Sequence, residues 1–352
     1  MAAAMPHLSG RSRRGLDIAT AGAALLILLG LSRVTPVTAE AAGAPTQRAK
    51  AREARAEARA AEETALLGPR FRAFETRWFV LVTDTSADRA SALAAALDGA
   101  ADRFLDISQR WGARVSRPEG RMLVVFFAHQ RDFLVYAGAR DSVNARWMGG
   151  YYSSRRNAVA LYDDATSGQF AQAIGDAADA PDAGARAAAL LREAHEATEA
   201  KAVHEAVHLL AFNTGLQRPG VVYPLWLTEG LAESFARGSL SGCARTSDSA
   251  RRAAQSLQVD EAGAVLGRFT APSGDAETIE GFYADSRRLF DALLERAPGD
   301  LAAFFADVAS ARQGAQPDPQ AVAAMFAARF GRSVGGAAAA AEIAQANAAQ
   351  GE

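Results

Sequence analysis

The chain has 352 residues, of which 49% are hydrophobic, and this is enough to form one sizeable core or two small ones. Its 38 basic and 40 acidic side chains leave a formal net charge of −2, so we expect no nucleic-acid partner. The single cysteine, Cys243, excludes an internal disulfide and a cysteine-rich structural zinc module.

The N-terminal segment, residues 1–39, has the features of an export signal. A basic region with Arg13 and Arg14 precedes an apolar run at 18–31, which suits a signal-peptide core and is short for a membrane span. Small side chains near Ala39 predict cleavage after it and a secreted or periplasmic protein. Two alternatives stay open, namely export by the twin-arginine route and an uncleaved segment that anchors the protein to a membrane.

The next segment, 40–70, is charged and rich in Ala, Arg and Glu, and it predicts a solvated helix or a mobile arm. We place the main folded domain at 71–331. The predicted elements of its first half are, in order, a strand at 78–83, a helix at 86–111, a buried strand at 122–127, a short helix at 131–138, and a hairpin of strands 148–152 and 158–162.

The second half of the folded domain is predicted to be helical. It follows segment 163–185, which is rich in Asp, Ala and Gly and predicts a mobile surface insertion. The tail, 332–352, is predicted to be disordered. The predicted helices are 187–213, 225–237, 247–258, 276–296, 299–312 and 318–330. A small mixed sheet followed by a mostly helical half predicts an α+β fold.

A metal-binding pattern lies in the predicted helix 187–213. His204, Glu205 and His208 form the sequence His-Glu-x-x-His. Residues four apart on a helix share one face, so the two imidazoles can hold the same Zn²⁺. Glu205 points toward the same cleft, where it can take a proton from zinc-bound water.

A second pattern follows downstream, where residues 226–232 read Trp-Leu-Thr-Glu-Gly-Leu-Ala. Catalytic zinc usually has three protein ligands and an open position for water. Glu229 follows His208 by 21 residues (229 − 208), which is enough chain to end one helix and pack a second one against it. Glu233, one turn further on, is either a hydrogen-bond acceptor for a ligand histidine or an exposed helix glutamate.

The two patterns together resemble the gluzincin metallopeptidases, in which the glutamate of a Trp-Leu-x-Glu-Gly segment is the third zinc ligand. The resemblance therefore implies that Glu229 joins His204 and His208 as a ligand. Over roughly 74–331 the chain is also similar to a bacterial group of peptidase MA-like proteins. This similarity implies a zincin-like fold with the active-site helix at the junction of the sheet and the helices. The supporting patterns are Trp78–Asp84, the hairpin from Gly149 to Leu161, and Tyr283–Ser286.

The predicted function is an exported zinc metallopeptidase that acts on peptides or proteins. Glu205 would remove a proton from the nucleophilic water and deliver it to the leaving amine. Related peptidases place a tyrosine on a later helix, which makes Tyr283 a candidate donor to the oxyanion, with a core residue as the alternative. Tyr151 and Tyr152, on the predicted edge strand of the hairpin, are rival donors. A peptide substrate can add to such an edge.

A non-peptidase remains the alternative. In that case the zinc site either binds or supports structure, or the enzyme hydrolyses another amide, for example in the cell wall. Glu205 favours hydrolysis, because a structural site has no need of a general base. Gly149-Gly150-Tyr151-Tyr152 contains no carboxylate to hold a free amine, which disfavours aminopeptidase action.

Overall fold

The computed structural model of the protein describes four stretches of chain. These stretches are 45–146, 148–236, 276–310 and 317–330. The predicted signal segment 1–39, the helix 247–258, Cys243 and the tail 332–352 lie outside them. Within the described ranges, no helix combines the length and the apolar character that a membrane span needs.

A five-stranded mixed sheet forms the first half of the fold. Its strands are β1 (Arg72–Glu75), β2 (Phe79–Thr83), β3 (Met122–Phe127), β4 (Gly150–Ser153) and β5 (Ala158–Tyr162), in the spatial order β1-β2-β3-β5-β4. The three central strands run parallel, and both edge strands pair antiparallel. Every residue of the central strands is buried, as expected for apolar strands that are covered on both faces. The predicted hairpin is present, and β4 is an edge strand.

Helices make up most of the rest of the described chain. They are α1 (Pro45–Leu67), α2 (Ala87–Arg110), α3 (Gln130–Tyr136), α4 (Gly168–Ala177), α5 (Ala183–Asn213), α6 (Leu225–Ala236), α7 (Ala276–Arg296), α8 (Pro298–Ala309) and α9 (319–330). The predicted α+β fold, with a small mixed sheet followed by a mostly helical half, is therefore confirmed. The helix predicted at 86–111 corresponds closely to α2. The side chain of Ser86 caps its first turn by accepting from the Arg89 amide at 3.2 Å.

Helix α1 packs on the sheet rather than standing free in solvent. Ala56, Ala60 and Glu63 are at most 6% exposed, and their spacing places them on one helix face. The prediction of a solvated helix or a mobile arm was therefore wrong for this face. The alanines let the helix approach the sheet closely, while the charged residues on its other side stay exposed.

Two elements, β1 and α4, were not predicted from the sequence. Both are stabilised by contacts with distant parts of the chain, which a local sequence pattern does not show. Strand β1 is a four-residue edge strand with three exposed positions, and it gains its register from β2, with Arg72 opposite Thr83. The segment 163–185, predicted as an insertion, contains the regular helix α4. Ser167 caps α4 by accepting from the Phe170 amide at 3.1 Å, and α4 packs along α5.

The central part of α5 is buried on every side, because it passes between α2, the sheet and α6. All residues from Lys201 to Ala211 are buried, which is typical of a helix that crosses a core. Helix α6 packs against both α5 and α7. A Cβ atom at Gly230 would lie 2.5 Å from the backbone oxygen of Ser286, so this position needs glycine for the close approach of α7. Trp226 is fully buried and stacks on Phe304.

Candidate metal centre

Three potential metal ligands meet where α5 packs against α6. His204 and His208 lie one turn apart on α5, and Glu229 faces them from the first half of α6. Their side chains are between 0% and 4% exposed, and their ligand atoms all lie within 4.8 Å of one another. The Nε2 atoms of His204 and His208 are 3.3 Å apart. Glu229 Oε2 lies 3.2 Å from the first and 3.7 Å from the second.

These separations fit a small metal ion. Ligand atoms about 2.0–2.1 Å from a tetrahedral ion lie roughly 3.3–3.4 Å apart, close to the three observed distances. Neither carboxylate oxygen of Glu229 makes a hydrogen bond of regular geometry, although the residue is fully buried. A buried carboxylate whose only close contacts are two imidazole rings is incompletely satisfied, and a bound cation would compensate its charge. The residues can therefore hold a metal ion, and two imidazoles with one carboxylate suit Zn²⁺ as well as other divalent transition metals.

The cluster is built to hold positive charge. Burial by itself lowers the pKa of His204, but its contacts with Glu229 and Glu233 outweigh burial and raise that pKa well above its ordinary range. Burial by itself raises the pKa of Glu229, yet the neighbouring His208 and His204 lower it below its usual value. A proton on the histidines and a metal ion at the same place satisfy the same carboxylate, so the two compete.

Glu233 supports the cluster from behind. Its Oε1 atom lies 3.1 Å from Nδ1 of His204, one helical turn beyond Glu229 on α6. Of the two alternatives that the sequence left open for Glu233, the contact with a ligand histidine is the one present. It fixes the ring so that Nε2 faces Glu229 and His208, which is how carboxylates usually orient metal-binding histidines.

Glu205 is buried beside the histidines and has no strong partner. It is 1% exposed, and neither carboxylate oxygen makes a hydrogen bond of regular geometry. Burial raises the pKa of Glu205, while the charges of His204 and His208 and the nearby backbone amide of Tyr152 lower it in part. Its Cγ lies 3.5 Å from the place where a Cβ at Gly150 would be, so the edge strand β4 passes directly over it.

A buried lysine one turn before Glu205 was not found by the sequence patterns. Lys201 Nζ donates to Asp164 at 2.8 Å and lies 4.2 Å from the centre of the Tyr162 ring. A Cβ atom at Gly149 would lie 2.3 Å from its Cδ, so a larger residue there would force the lysine side chain to move. Burial lowers the pKa of Lys201, against the raising effect of Asp164. Local periodicity gives no signal for this pair, because Asp164 lies in the segment that was predicted as an insertion.

Tyr283, on α7, lies next to the histidine cluster. It is 6% exposed, and its ring centre is 6.4 Å from that of His204. The residue is therefore both part of the core and close to the cluster, so both sequence-based roles for it are compatible with its position. His195 is only partly buried and is not one of the clustered ligands.

The two rival tyrosines have hydroxyl groups that are already engaged. The Tyr151 hydroxyl donates to Asp141 at 2.7 Å, and the Tyr152 hydroxyl bonds Asn157 at 3.1 Å. Burial raises the pKa of both phenols. All four residues of β4 are buried. This arrangement does not support either tyrosine as a donor to a reacting group.

Part of the chain is similar to a protein family of unknown function. A family model described as "Protein of unknown function (DUF1570)" matches residues 198–267. That stretch is about a fifth of the chain, and it contains His204, Glu205, His208 and Glu229. No curated protein matches the chain. The segment that carries the candidate metal centre is therefore the part of this chain that is similar to the DUF1570 family.

Proposed function

We propose that the protein is a zinc-dependent metallopeptidase that is exported and hydrolyses peptide bonds. The observation that carries the proposal is that His204, His208 and Glu229 meet beside another buried carboxylate, Glu205, which lies on the same helix as the histidines and makes no hydrogen bond of regular geometry. A purely structural site would need the three ligands but would gain nothing from Glu205. Bound zinc would polarise a carbonyl group and lower the pKa of water to about 7.

The residues of the chain then have distinct roles. Glu205 accepts a proton from the attacking water and returns it to the leaving amine, and its raised pKa suits a group that must do both. Glu233 holds the His204 ring in place through Nδ1. Tyr283 is the proposed hydrogen-bond donor to the negative charge that develops on the carbonyl oxygen, since its ring lies beside that of His204.

A direct test compares the wild type with Glu205→Gln. Each protein is purified, its metal content is measured, and it is incubated with a peptide library whose products are identified by mass spectrometry. We expect one zinc per chain in both proteins, and a loss of cleavage of about 10²–10⁴-fold in the variant, because an amide cannot accept the proton. Glu196→Gln is the matched control, since Glu196 is exposed on the same helix. Equal cleavage by wild type and Glu205→Gln would rule out this mechanism.

One observation favours a second candidate, a metal site without peptidase activity. The three ligands and Glu205 are all at most 4% exposed among the described residues, which limits access for a bulky substrate. Such a protein would either use the ion for stability or hydrolyse a smaller amide. Zinc binding with no cleavage of any library peptide by the wild type would favour this second candidate.

Export is a separate part of the proposal, and it rests on the sequence of residues 1–39. N-terminal sequencing of the protein recovered outside the cytoplasm tests it. We expect the mature chain to start near Glu40. Recovery of protein that still contains Arg13 in the membrane fraction would support an uncleaved anchor instead.

A further inference from the structure

The two histidines of the metal centre differ in what holds their rings. Nδ1 of His204 lies 3.1 Å from Oε1 of Glu233. The contacts of His208 with His204 and Glu229 both use its Nε2 atom, and no group of the described chain bonds its Nδ1 atom. A histidine that binds metal almost always donates its other ring N–H to a carboxylate, a carbonyl group or a water. A partner for Nδ1 of His208 is therefore expected outside the protein groups described above.

A small cavity beside His208 has room for such a partner. Its volume is about 20 Å³, which suits one water molecule. The cavity lies between the end of α5, β4 and the loop that leads to α6, and Tyr152, Phe212 and Val221 make much of its wall apolar. A water stays in such a place only where two to four polar groups can bond it. The polar groups of the wall therefore decide whether the cavity is hydrated.

Gln217 brings a buried amide group to the same wall. The residue is 1% exposed, and neither end of its side-chain amide has a hydrogen-bond partner within the protein. Its backbone amide donates to the Ala211 carbonyl oxygen at 2.8 Å, and Ala211 lies one turn after His208 on α5. A buried carboxamide with neither end bonded is costly, and buried waters usually satisfy such groups. The cavity thus brings an amide without a partner next to a ligand histidine in the same position.

We propose that Gln217 is a positioning residue for the metal centre and acts through one buried water beside His208. The water accepts a hydrogen bond from the Nδ1–H group of His208 and donates one to the side-chain oxygen of Gln217. The proton is then kept on Nδ1, and the lone pair of Nε2 faces the metal, as Glu233 arranges for His204. This inference rests on the metal centre of the proposed function and assigns a role to a residue outside both metal-binding patterns.

The first test needs no variant. A crystal structure of the zinc-loaded wild type, at a resolution that shows ordered waters, should place one water about 3 Å from both Nδ1 of His208 and the side-chain oxygen of Gln217. Zinc affinity is then measured by chelator competition. Gln217→Met, an apolar chain of similar length, should bind zinc about 10–100-fold more weakly. Ser108→Ala is the matched control, because Ser108 on α2 is also a buried polar residue without a hydrogen-bond partner, and its affinity should not change.

A third variant, Gln217→Glu, separates positioning from stability. It keeps an acceptor oxygen but buries a charge, so the melting temperature should fall while zinc affinity stays above that of Gln217→Met. No water between the two side chains, an unchanged affinity in Gln217→Met, or equal losses in both Gln217 variants would each overturn the inference. Failure of the proposed function looks different. A wild type that binds zinc but cleaves no peptide refutes the peptidase alone, and one that binds no zinc refutes both.

Discussion

Two pairs of buried carboxylates in this protein differ in how completely their oxygens are hydrogen-bonded. This difference distinguishes a structural pair from a pair that is suited to chemistry. Under the β4–β5 hairpin, Glu63 and Asp141 are 4% and 3% exposed, and at the metal centre Glu205 and Glu229 are 1% and 0% exposed. Burial alone therefore does not distinguish them. Both carboxylates of the first pair accept hydrogen bonds at each oxygen. In the second pair, among the described residues, Glu229 contacts only the two histidines, at 3.2 Å and 3.7 Å, and Glu205 makes no hydrogen bond of regular geometry.

Asp141 and Glu63, with the side chains that bond to them from the β4–β5 hairpin and from α3 and the turn after it, form what we call the hairpin network. In this network each carboxylate oxygen accepts hydrogen bonds. Asp141 accepts hydrogen bonds from Tyr151, Ser153, Arg155 and Arg156. Burial by itself would raise the pKa of Asp141, but the hydrogen bonds from Tyr151 and Arg156 and the charge of Arg156 lower it below its usual value. This carboxylate is ionised and paired at neutral pH.

The same network includes a second paired carboxylate. Glu63, on α1, accepts from Arg140 at 2.9 Å, from Arg156 at 2.7 Å and from the Tyr136 hydroxyl at 3.0 Å. Through these bonds it ties α1 to the hairpin and to the end of α3. All four carboxylate oxygens of Glu63 and Asp141 therefore accept hydrogen bonds, and we assign this network a structural role.

At the metal centre, no arginine or hydroxyl group of the described chain pairs with Glu205, and Glu229 contacts only the two histidines. For Glu205 burial is the largest effect, and its pKa is raised. An unpaired buried group of this kind is retained at a cost in stability, which makes it a candidate for chemistry. The comparison predicts that isosteric changes in the two regions have opposite consequences. Changes at the metal centre should affect metal and activity, and changes in the hairpin network should affect stability.

The largest expected effect is on metal binding by Glu229→Gln. Structural zinc sites bind with about 10–16 kcal/mol, so the loss of one of three ligands should weaken binding by about 10³-fold or more. Competition with a chelating dye gives the dissociation constant. The matched change in the other region is Glu63→Gln, which should leave zinc affinity unchanged. Similar losses in both variants would show that the two regions do not differ as we infer.

Asp141→Asn should produce the reverse result. Breaking a buried charge pair typically costs 3–5 kcal/mol, and we expect about 3 kcal/mol because Arg155 is half exposed. Urea denaturation gives the free energy of unfolding, and zinc content should not change. Asp132, which is partly exposed and pairs with Arg70, offers a control substitution with an expected loss below about 1 kcal/mol.

Tyr283→Phe tests which of the three tyrosines, Tyr283, Tyr151 or Tyr152, donates a hydrogen bond to the oxyanion. If its hydroxyl donates to the oxyanion, kcat should fall by about 10²–10³-fold, with little change in KM or in zinc content. Tyr151→Phe removes a hydrogen bond to Asp141 and should lower stability instead. A large fall in kcat for Tyr151→Phe or Tyr152→Phe, with none for Tyr283→Phe, would move the donor to β4.

Glu233→Gln should have a smaller effect on the metal. A carboxylate that orients a ligand histidine usually contributes about 10–100-fold to metal affinity. The Nδ1 atom of His204 would face a weaker acceptor, while all three ligands remain. Chelator competition measures the change. Should Glu233→Gln lose more affinity than Glu229→Gln, the assignment of the third ligand would have to be exchanged between them.

The smallest expected effect is the acid sensitivity of the hairpin network. The pKa of Asp141 in the folded protein lies below its ordinary value of 3.8, so the unfolded chain binds the proton more readily. The stabilisation by Asp141 is therefore present above about pH 4 and is lost as the pH falls below it. Urea midpoints at pH 6 and pH 3 should differ more for wild type than for Asp141→Asn. Equal differences would show that Asp141 is not the group responsible.

Much of this architecture follows from local sequence patterns. The run of β-forming residues at Phe79–Thr83, the helical spacing after Ser86 and the apolar strand Met122–Phe127 each indicated their elements correctly. His204 and His208 had to share a face once α5 formed, because residues one turn apart on a helix always do. These features depend on periodicities within a single element, and a sequence shows such periodicities directly.

Other features were decided only by the tertiary structure, since they join residues that are far apart along the chain. The burial of one face of α1, the pairing of Lys201 with Asp164, the saturation of Asp141 and the unpaired amide of Gln217 all depend on which surfaces pack together. Whether a buried polar group has a partner is a property of three-dimensional packing. The residue types that could bind metal were therefore readable from the sequence, whereas the distances that let Glu229 join the two histidines came from the packing of α6 on α5.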